Sequence, residues 1–335
     1  MSVAQSAQLT EQLTEGLSSL FAKPVHVSSA VLLAGGASKE AWAVEAGTGD
    51  GPLHLLVRRA TGGAIYSEML SLEEEFRVLE AAFEANVKVP RPYGYLDDVG
   101  GRDAFVMDLV KGETIGRRIV KRPELAAARE ALPAQMATEL AHIHSIPLER
   151  VDFLPGPRQP PTVSPYLDAL EDELDALEEP HPAIELGLRW LRDHPPTSRS
   201  VVFVHGDFRL GNLVVDESGL VAVLDWENTH RGDPAEDLGW SLVRAWRFGA
   251  DHLRLAGVAA AEPYLEHYNT TTGREITLDE LFYWELAGNV RWAIGALNQA
   301  RRHLSGAEPS VELAILGRLA SEVEYEVVYL LGQAG

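Results

Sequence analysis

The feature that most constrains this chain is a change in hydrophobic period near residue 110. Before it, Val25–Leu33, Ala41–Ala46, Leu53–Arg59 and Ala104–Val110 are short, β-prone segments. The glycine-rich stretches GGAS at 35–38 and GTGDG at 47–51 separate the first three, as an antiparallel sheet requires. One helix interrupts them, opened by a capping box at Ser71–Glu74, with Leu72, Phe76, Leu79 and Phe83 on one apolar stripe. Leu9, Leu13, Leu17, Leu20 and Phe21 predict a further amphipathic helix at the start of the chain. After the change, helical spacing dominates 123–146, 164–178, 182–193, 234–248, 251–268, 277–303 and 310–332. Only 201–204 and 213–224 read as strand there. Sheet first and helices afterwards is an α+β order, unlike the βαβ alternation of a dinucleotide-binding sheet. The expected division is a sheet-rich lobe over residues 1–109 and a larger, mainly helical lobe over 110–335.

Several chemistries are closed at once. The chain has no cysteine, so disulfides, thiolate metal sites, iron–sulfur ligation and cysteine nucleophiles are excluded. Its first residues, MSVAQSAQLTEQLTEG, lack the basic-then-apolar order of a leader, and no apolar run reaches membrane-spanning length. A cytoplasmic location is expected. The net charge of −21 repels phosphates, so neither nucleic acid nor an anionic membrane is an expected partner. Most of that charge lies beyond Val110, where it either serves solubility or attracts a cationic substrate. Oligomeric state is not legible.

The informative stretch is Val201–Trp240, VVFVHGDFRLGNLVVDESGLVAVLDWENTHRGDPAEDLGW. Asp207 and Asn212 are spaced as H-G-D-x-x-x-x-N, and 213–224 predicts a hairpin turning at Asp216–Gly219. Asn212 enters that hairpin and Asp225 leaves it, so folding brings a carboxamide and a carboxylate to one end, with Asp207 just upstream. Hard oxygen donors of this kind suit Mg²⁺, which completes its shell with substrate phosphates and water.

These residues closely resemble the aminoglycoside phosphotransferase family, small-molecule kinases with a protein-kinase-like fold. The resemblance implies that Asp207 is the catalytic aspartate, accepting the proton of a small-molecule hydroxyl. It implies Asn212 and Asp225 as Mg²⁺ ligands, and ATP or GTP as phosphoryl donor. Gly232-Asp233-Pro234 and Asp237-Leu238 match elements that brace the catalytic loop, which gives Asp237 a supporting role and His205 a structural one. Arg58 stands where the kinase fold places its phosphate-binding lysine, with Glu75 as partner. Helical geometry agrees about Glu75: it borders the apolar stripe, whereas Glu73, Glu74, Arg77 and Glu80 point elsewhere, so it needs a cation facing the sheet. Gly35, Gly36 and Ser38 resemble the phosphate-covering turn. Met107, Asp108 and Val110 resemble the hinge beside adenine, and Trp284, Glu285, Asn289, Arg291 and Trp292 the helix that helps form the acceptor pocket.

Other motifs carry less. GTGDG is followed by Pro52 and breaks the G-x-G-x-x-G spacing, so it reads as a hairpin loop, and no Walker A sequence is present. His142 and His144 sit two apart on a helix and cannot share a face, which makes them packing residues rather than zinc ligands. The alternatives to an antibiotic-directed kinase are a kinase of another metabolite, an inactive nucleotide-binding relative, and a metal-dependent hydrolase.

Overall fold

Alternate residues of the early strands are buried, as a sheet covered on one face demands. A computed structural model describes residues 3–33, 39–60, 70–160, 163–197 and 200–334 of this chain. It divides into two units, the first comprising Met1–Lys111, Glu149–Phe153 and Ala222–Asn228, and the second the remainder.

In the first unit, β1 (His26–Leu32), β2 (Lys39–Thr48), β3 (Gly51–Ala60), β4 (Pro92–Leu96) and β5 (Ala104–Asp108) form one antiparallel sheet in the order β1-β2-β3-β5-β4. The GTGDG stretch is the β2–β3 hairpin turn, where Thr48 faces Gly51. Helix α1 (Val3–Leu20) places Leu9, Leu13 and Leu17 against Trp42, Val44, Leu55 and Val57. Helix α2 (Leu72–Glu84) serves the β4–β5 side of the sheet, with the Phe76 ring 5.6 Å from Phe105. Its Ser71–Glu74 capping box is formed in both directions. The apolar stripe is shorter than expected, because Phe83 in the last turn is 43% exposed.

Strand β4 was not legible in the sequence. It begins with proline and contains glycine, which weakens a strand signal, and it tolerates both because it is an edge strand with one unpaired side.

The second unit contains α3 (Gly116–Lys121), α4 (Ala126–Ile143), α5 (Val163–Asp175), α6 (Pro182–Asp193), α7 (Pro234–Trp240), α8 (Ala261–Thr272), α9 (Leu278–Leu304) and α10 (Val311–Leu331). Strand β6 (Val202–Val204) pairs with β9 (His230–Gly232), and β7 (Leu213–Asp216) pairs with β8 (Gly219–Val223) as the expected hairpin. The leucines of α5 face inward against α6 and α9, leaving the acidic run between them on the outside. Asp233 caps α7 by accepting the Ala235 N–H at 2.9 Å, with Pro234 in the first turn.

Helix α7 is shorter than its periodicity predicts. Beyond it, the Leu242 carbonyl accepts from the Arg247 guanidinium at 2.9 and 3.1 Å instead of from a backbone amide one turn on. Arg247 is held there by buried Glu285 and Glu326, so a tertiary ionic cluster overrides local helix propensity.

Candidate active site

Sheet register places the basic side chains of the first unit. Arg58 lies opposite Phe105, whose ring packs on α2, so Arg58 shares the α2 face of the sheet. There it meets Glu75, which is 2% exposed, with Arg58 Nη1 3.1 Å from Glu75 Oε1. Lys39 joins the same carboxylate from β2, with Nζ 2.5 Å from Glu75 Oε2 and 3.5 Å from Glu227 Oε2. Lys39 lies two residues from Ala41, which pairs with Arg58, so the two cations are diagonal neighbours on one face.

The segment 222–228 belongs to this unit and brings two more carboxylates. Arg58 Nη2 donates to Asp225 Oδ1 at 3.2 Å and to Glu227 Oε2 at 3.3 Å. Burial alone would lower the Arg58 pKa, but Glu75, Asp225 and Glu227 together raise it, so the guanidinium is firmly charged. The Glu227 carboxyl is pushed up from its ordinary value by burial and by Asp225, against the pull of Arg58 and Lys39. Asp225 adopts φ +66°, a left-handed conformation that aspartate accepts at a cost and that is concentrated at functional positions.

Beyond β5 the backbone prepares an edge. Asp108 N–H donates to the Arg91 carbonyl and Leu109 N–H to the His54 carbonyl, both at 3.0 Å. The Val110 N–H has no acceptor among the described residues. Met107 is buried, and the Asp108 carboxylate is tied to the Tyr93 hydroxyl at 2.8 Å. Gly35, Gly36 and Ser38 lie outside the described residues.

In the second unit the loop after β6 presents Asp207. Its Oδ1 accepts from Trp240 Nε1 at 2.7 Å and Arg209 Nε at 3.0 Å, while Oδ2 accepts from Asn212 Nδ2 at 2.6 Å. Asn212 Nδ2 also donates to the Asp207 carbonyl at 3.0 Å, so its amide nitrogen is committed to the loop. The oxygen at the other end of that carboxamide is thereby turned away from Asp207.

The loop is tied down from below. Asp237, on α7 and fully buried, accepts His205 N–H at 2.8 Å and Gly206 N–H at 2.9 Å, one on each oxygen. Its Oδ2 also lies 3.1 Å from His144 Nε2, whose Nδ1 lies 2.6 Å from the Tyr268 hydroxyl. Burial pushes the Asp237 carboxyl up, but hydrogen bonding and charge from His144 and His205 overcome this and hold it below its ordinary value. Asp207 N–H donates to His205 Nδ1 at 3.2 Å, and Ser241 Oγ donates to the Phe208 carbonyl at 2.9 Å.

Four of these positions were not legible as site residues. Lys39 becomes visible only once the β2–β3 register is known. His144, read as a packing residue, instead connects α4 to the Asp237 carboxylate. Arg209 and Trp240 hold Asp207, Arg209 from one of the unspecified positions inside the H-G-D-x-x-x-x-N spacing and Trp240 from α7. On α9, Glu285 and Asn289 are wholly buried, Glu285 pairing with Arg247 and Arg254, and Asn289 accepting the Arg244 N–H at 3.2 Å. Arg291 stacks over Trp240 at 4.8 Å and Arg209 over Trp246 at 4.4 Å, so a wall of guanidinium and indole groups flanks Asp207.

A family model described as the phosphotransferase enzyme family matches residues 29–275 of this chain. The chain belongs to that family. A solved structure of a candidate aminoglycoside phosphotransferase from Ralstonia eutropha superposes with a TM-score of 0.73 at 23% identity, covering 98% of both chains. A spectinomycin phosphotransferase solved in complex with ADP and spectinomycin superposes with a TM-score of 0.61 at 13% identity, covering 95% of this chain and 98% of that one. The fold of this chain is therefore the protein-kinase-like one, a five-stranded antiparallel sheet with its helix and a mainly helical part. Among curated proteins, acyl-CoA dehydrogenase family member 10 of Mus musculus is 30% identical over 198 residues, 56% of this chain. The alignment covers 18% of that relative, so this chain matches under a fifth of its length. Among the described residues, no helix is long and apolar enough to cross a membrane.

Proposed function

We propose that this phosphotransferase moves the γ-phosphoryl group of ATP to a hydroxyl of a small molecule, with Asp207 as the catalytic base. The single observation that carries this reading is the fixing of the Asp207 carboxylate by Trp240, Arg209 and Asn212 on a loop anchored by Asp237. A carboxylate so held orients an acceptor hydroxyl and takes its proton as the new P–O bond forms and the bond to the departing ADP oxygen breaks. GTP is the alternative donor.

Arg58, kept charged by three carboxylates, is the cation for the non-transferred phosphates, and Glu75 positions it together with Lys39. The unoccupied Val110 N–H supports adenine recognition by the strand edge after Met107 and Asp108, since a purine supplies the matching acceptor. Gly35, Gly36 and Ser38 keep the phosphate-covering role that their sequence suggests.

The donor set fits Mg²⁺. Among the described residues no group of three His, Asp or Glu side chains is placed to hold a metal by itself. By the family resemblance the Asn212 amide oxygen and the Asp225 carboxylate would hold it, each a hard donor of the kind Mg²⁺ takes when phosphates and water complete its shell. When bound, the ion neutralises phosphate charge.

The test is a panel of hydroxyl compounds incubated with labelled ATP and Mg²⁺. It spans amino alcohols and hydroxylated acids, because the acidic surplus of the chain favours the first and the guanidinium groups of Arg209 and Arg291 favour the second. Labelled product from one class, abolished by Asp207→Asn, is expected. Tight ATP·Mg²⁺ binding with no labelled product, or ATP hydrolysis unaffected by every acceptor, would defeat the proposal.

A further inference from the structure

One face of α10 stands outside the core of the second unit. Ala320, Val323, Val327 and Leu330 are buried, in the part of the helix that packs on α9 and α6. The opposite stripe, Val311, Ile315, Arg318, Glu322, Tyr325 and Tyr329, is exposed throughout. Four of its members are large and apolar or aromatic, with exposures of 74% for Val311, 50% for Ile315, 64% for Tyr325 and 51% for Tyr329. The two tyrosine rings lie nearly parallel, with centroids 6.5 Å apart and an interplanar angle of 19°.

The spacing alternates four and three residues along the whole stripe, which keeps it on one line down the helix and is the spacing of a two-helix seam. Its chemistry is ordered as apolar, apolar, basic, acidic, aromatic, aromatic. Neither Arg318 nor Glu322 has an ion-pair partner among the described residues.

That order is self-complementary in one direction only. When a second copy of the helix is laid antiparallel about a two-fold axis at the level of Ala320, Arg318 faces the partner's Glu322 and Glu322 the partner's Arg318. Ile315 then faces the partner's Tyr325, and Val311 the partner's Tyr329. A parallel copy sets Arg318 against Arg318 and Glu322 against Glu322, which is repulsive. We propose that this stripe is a self-association surface on which two copies of the chain pair through antiparallel α10 helices. The contact is isologous, so it closes at the dimer. One helix pair is a small interface, and a dissociation constant on the order of micromolar is expected.

The experiment is sedimentation equilibrium on the full chain from about 1 to 100 μM, with circular dichroism as a check of folding. The wild type should pass from monomer to dimer across this range. Ile315→Glu with Tyr325→Glu should remain monomeric, and Arg318→Glu alone should weaken association about tenfold. Arg318→Glu combined with Glu322→Arg should restore it, because the swap rebuilds both cross-pairs. All four side chains are exposed, so loss of fold does not confuse the result. A wild type that stays monomeric to 100 μM, as when a different partner covers this face, overturns the proposal. So does a swap variant that associates no better than the single reversal.

Discussion

Asn212 Nδ2 lies 2.6 Å from Asp207 Oδ2, so the amide that follows the loop is oriented by the carboxylate that the loop presents. The contact fixes which end of Asn212 is available to a ligand. Asn212→Asp replaces this donor with a second carboxylate, and two like charges at that distance repel. The expected outcome is a fall in kcat of about 100-fold or more, of the size that general-base geometry contributes. Steady-state kinetics over a Mg²⁺ series checks it; unchanged turnover would contradict the role given to the pair.

Asp207→Asn keeps the shape of the side chain and its place near Trp240 and Arg209 but removes the carboxylate proposed as the base. Turnover should drop by about 10²–10⁴-fold while nucleotide affinity stays within about twofold, because the loss falls on the chemical step. Calorimetric titration of nucleotide beside the kinetic assay separates the two quantities.

Glu75 is the buried anion between Lys39 and Arg58. Glu75→Ala removes the carboxylate that both cations share and leaves them only Glu227 and Asp225, and breaking a buried pair in this way costs up to about 3–5 kcal/mol. Glu75→Gln, which keeps the volume and one acceptor oxygen but turns an amide NH2 toward the other cation, should cost less than the alanine variant. Urea unfolding ranks the three proteins, and nucleotide affinity should fall in the same order.

Asp237 gives a pH signature. Its folded-state carboxyl is held below the ordinary 3.8, so its contribution to stability is complete above that value and drains away as pH falls through the folded-state pKa. The advantage of wild type over Asp237→Asn should therefore be constant from about pH 5 to 7 and shrink below about pH 4. An advantage that grew on acidification would reverse the sign and refute the assignment. Turnover of the variant should also fall, since one of the His205 and Gly206 N–H groups then faces an amide NH2 instead of the carboxylate oxygen that fixes the loop.

Gly239 sits where α7 meets α9. A Cβ there would lie 2.5 Å from the Trp284 carbonyl carbon and 2.6 Å from its Cβ, and backbone cannot move aside cheaply. Gly239→Ala should destabilise by about 1–3 kcal/mol. It should lower kcat as well, because the helix displaced is the one that carries Asp237. Thermal unfolding and turnover measured on one preparation show whether the two losses travel together.

The parts that were legible in the sequence are those whose signal is local. The capping box at Ser71, the hairpin at 213–224 and helix α6 rest on neighbouring residues, and each formed. Glu75 was legible because an amphipathic helix reports its own faces. Lys39 and His144 were not, since their roles depend on which distant segments lie beside them: a strand register for one, and α7 for the other. Strand β9, three residues long, is too short to carry a pattern and exists through its pairing with β6. Helix α8 begins ten residues later than periodicity suggests, because 251–260 forms turns and an isolated bridge between Leu255 and Ala259.

The Asp237 carboxylate ties α7 to two earlier chain positions, Gly206, 31 residues before it, and His144, 93 residues before it. Contacts of such separation require the intervening chain to close first, at a cost in entropy. Partly folded chains therefore lack a set reactive loop, and competence for chemistry should arrive with the final consolidation of the helical unit rather than with the first appearance of its helices.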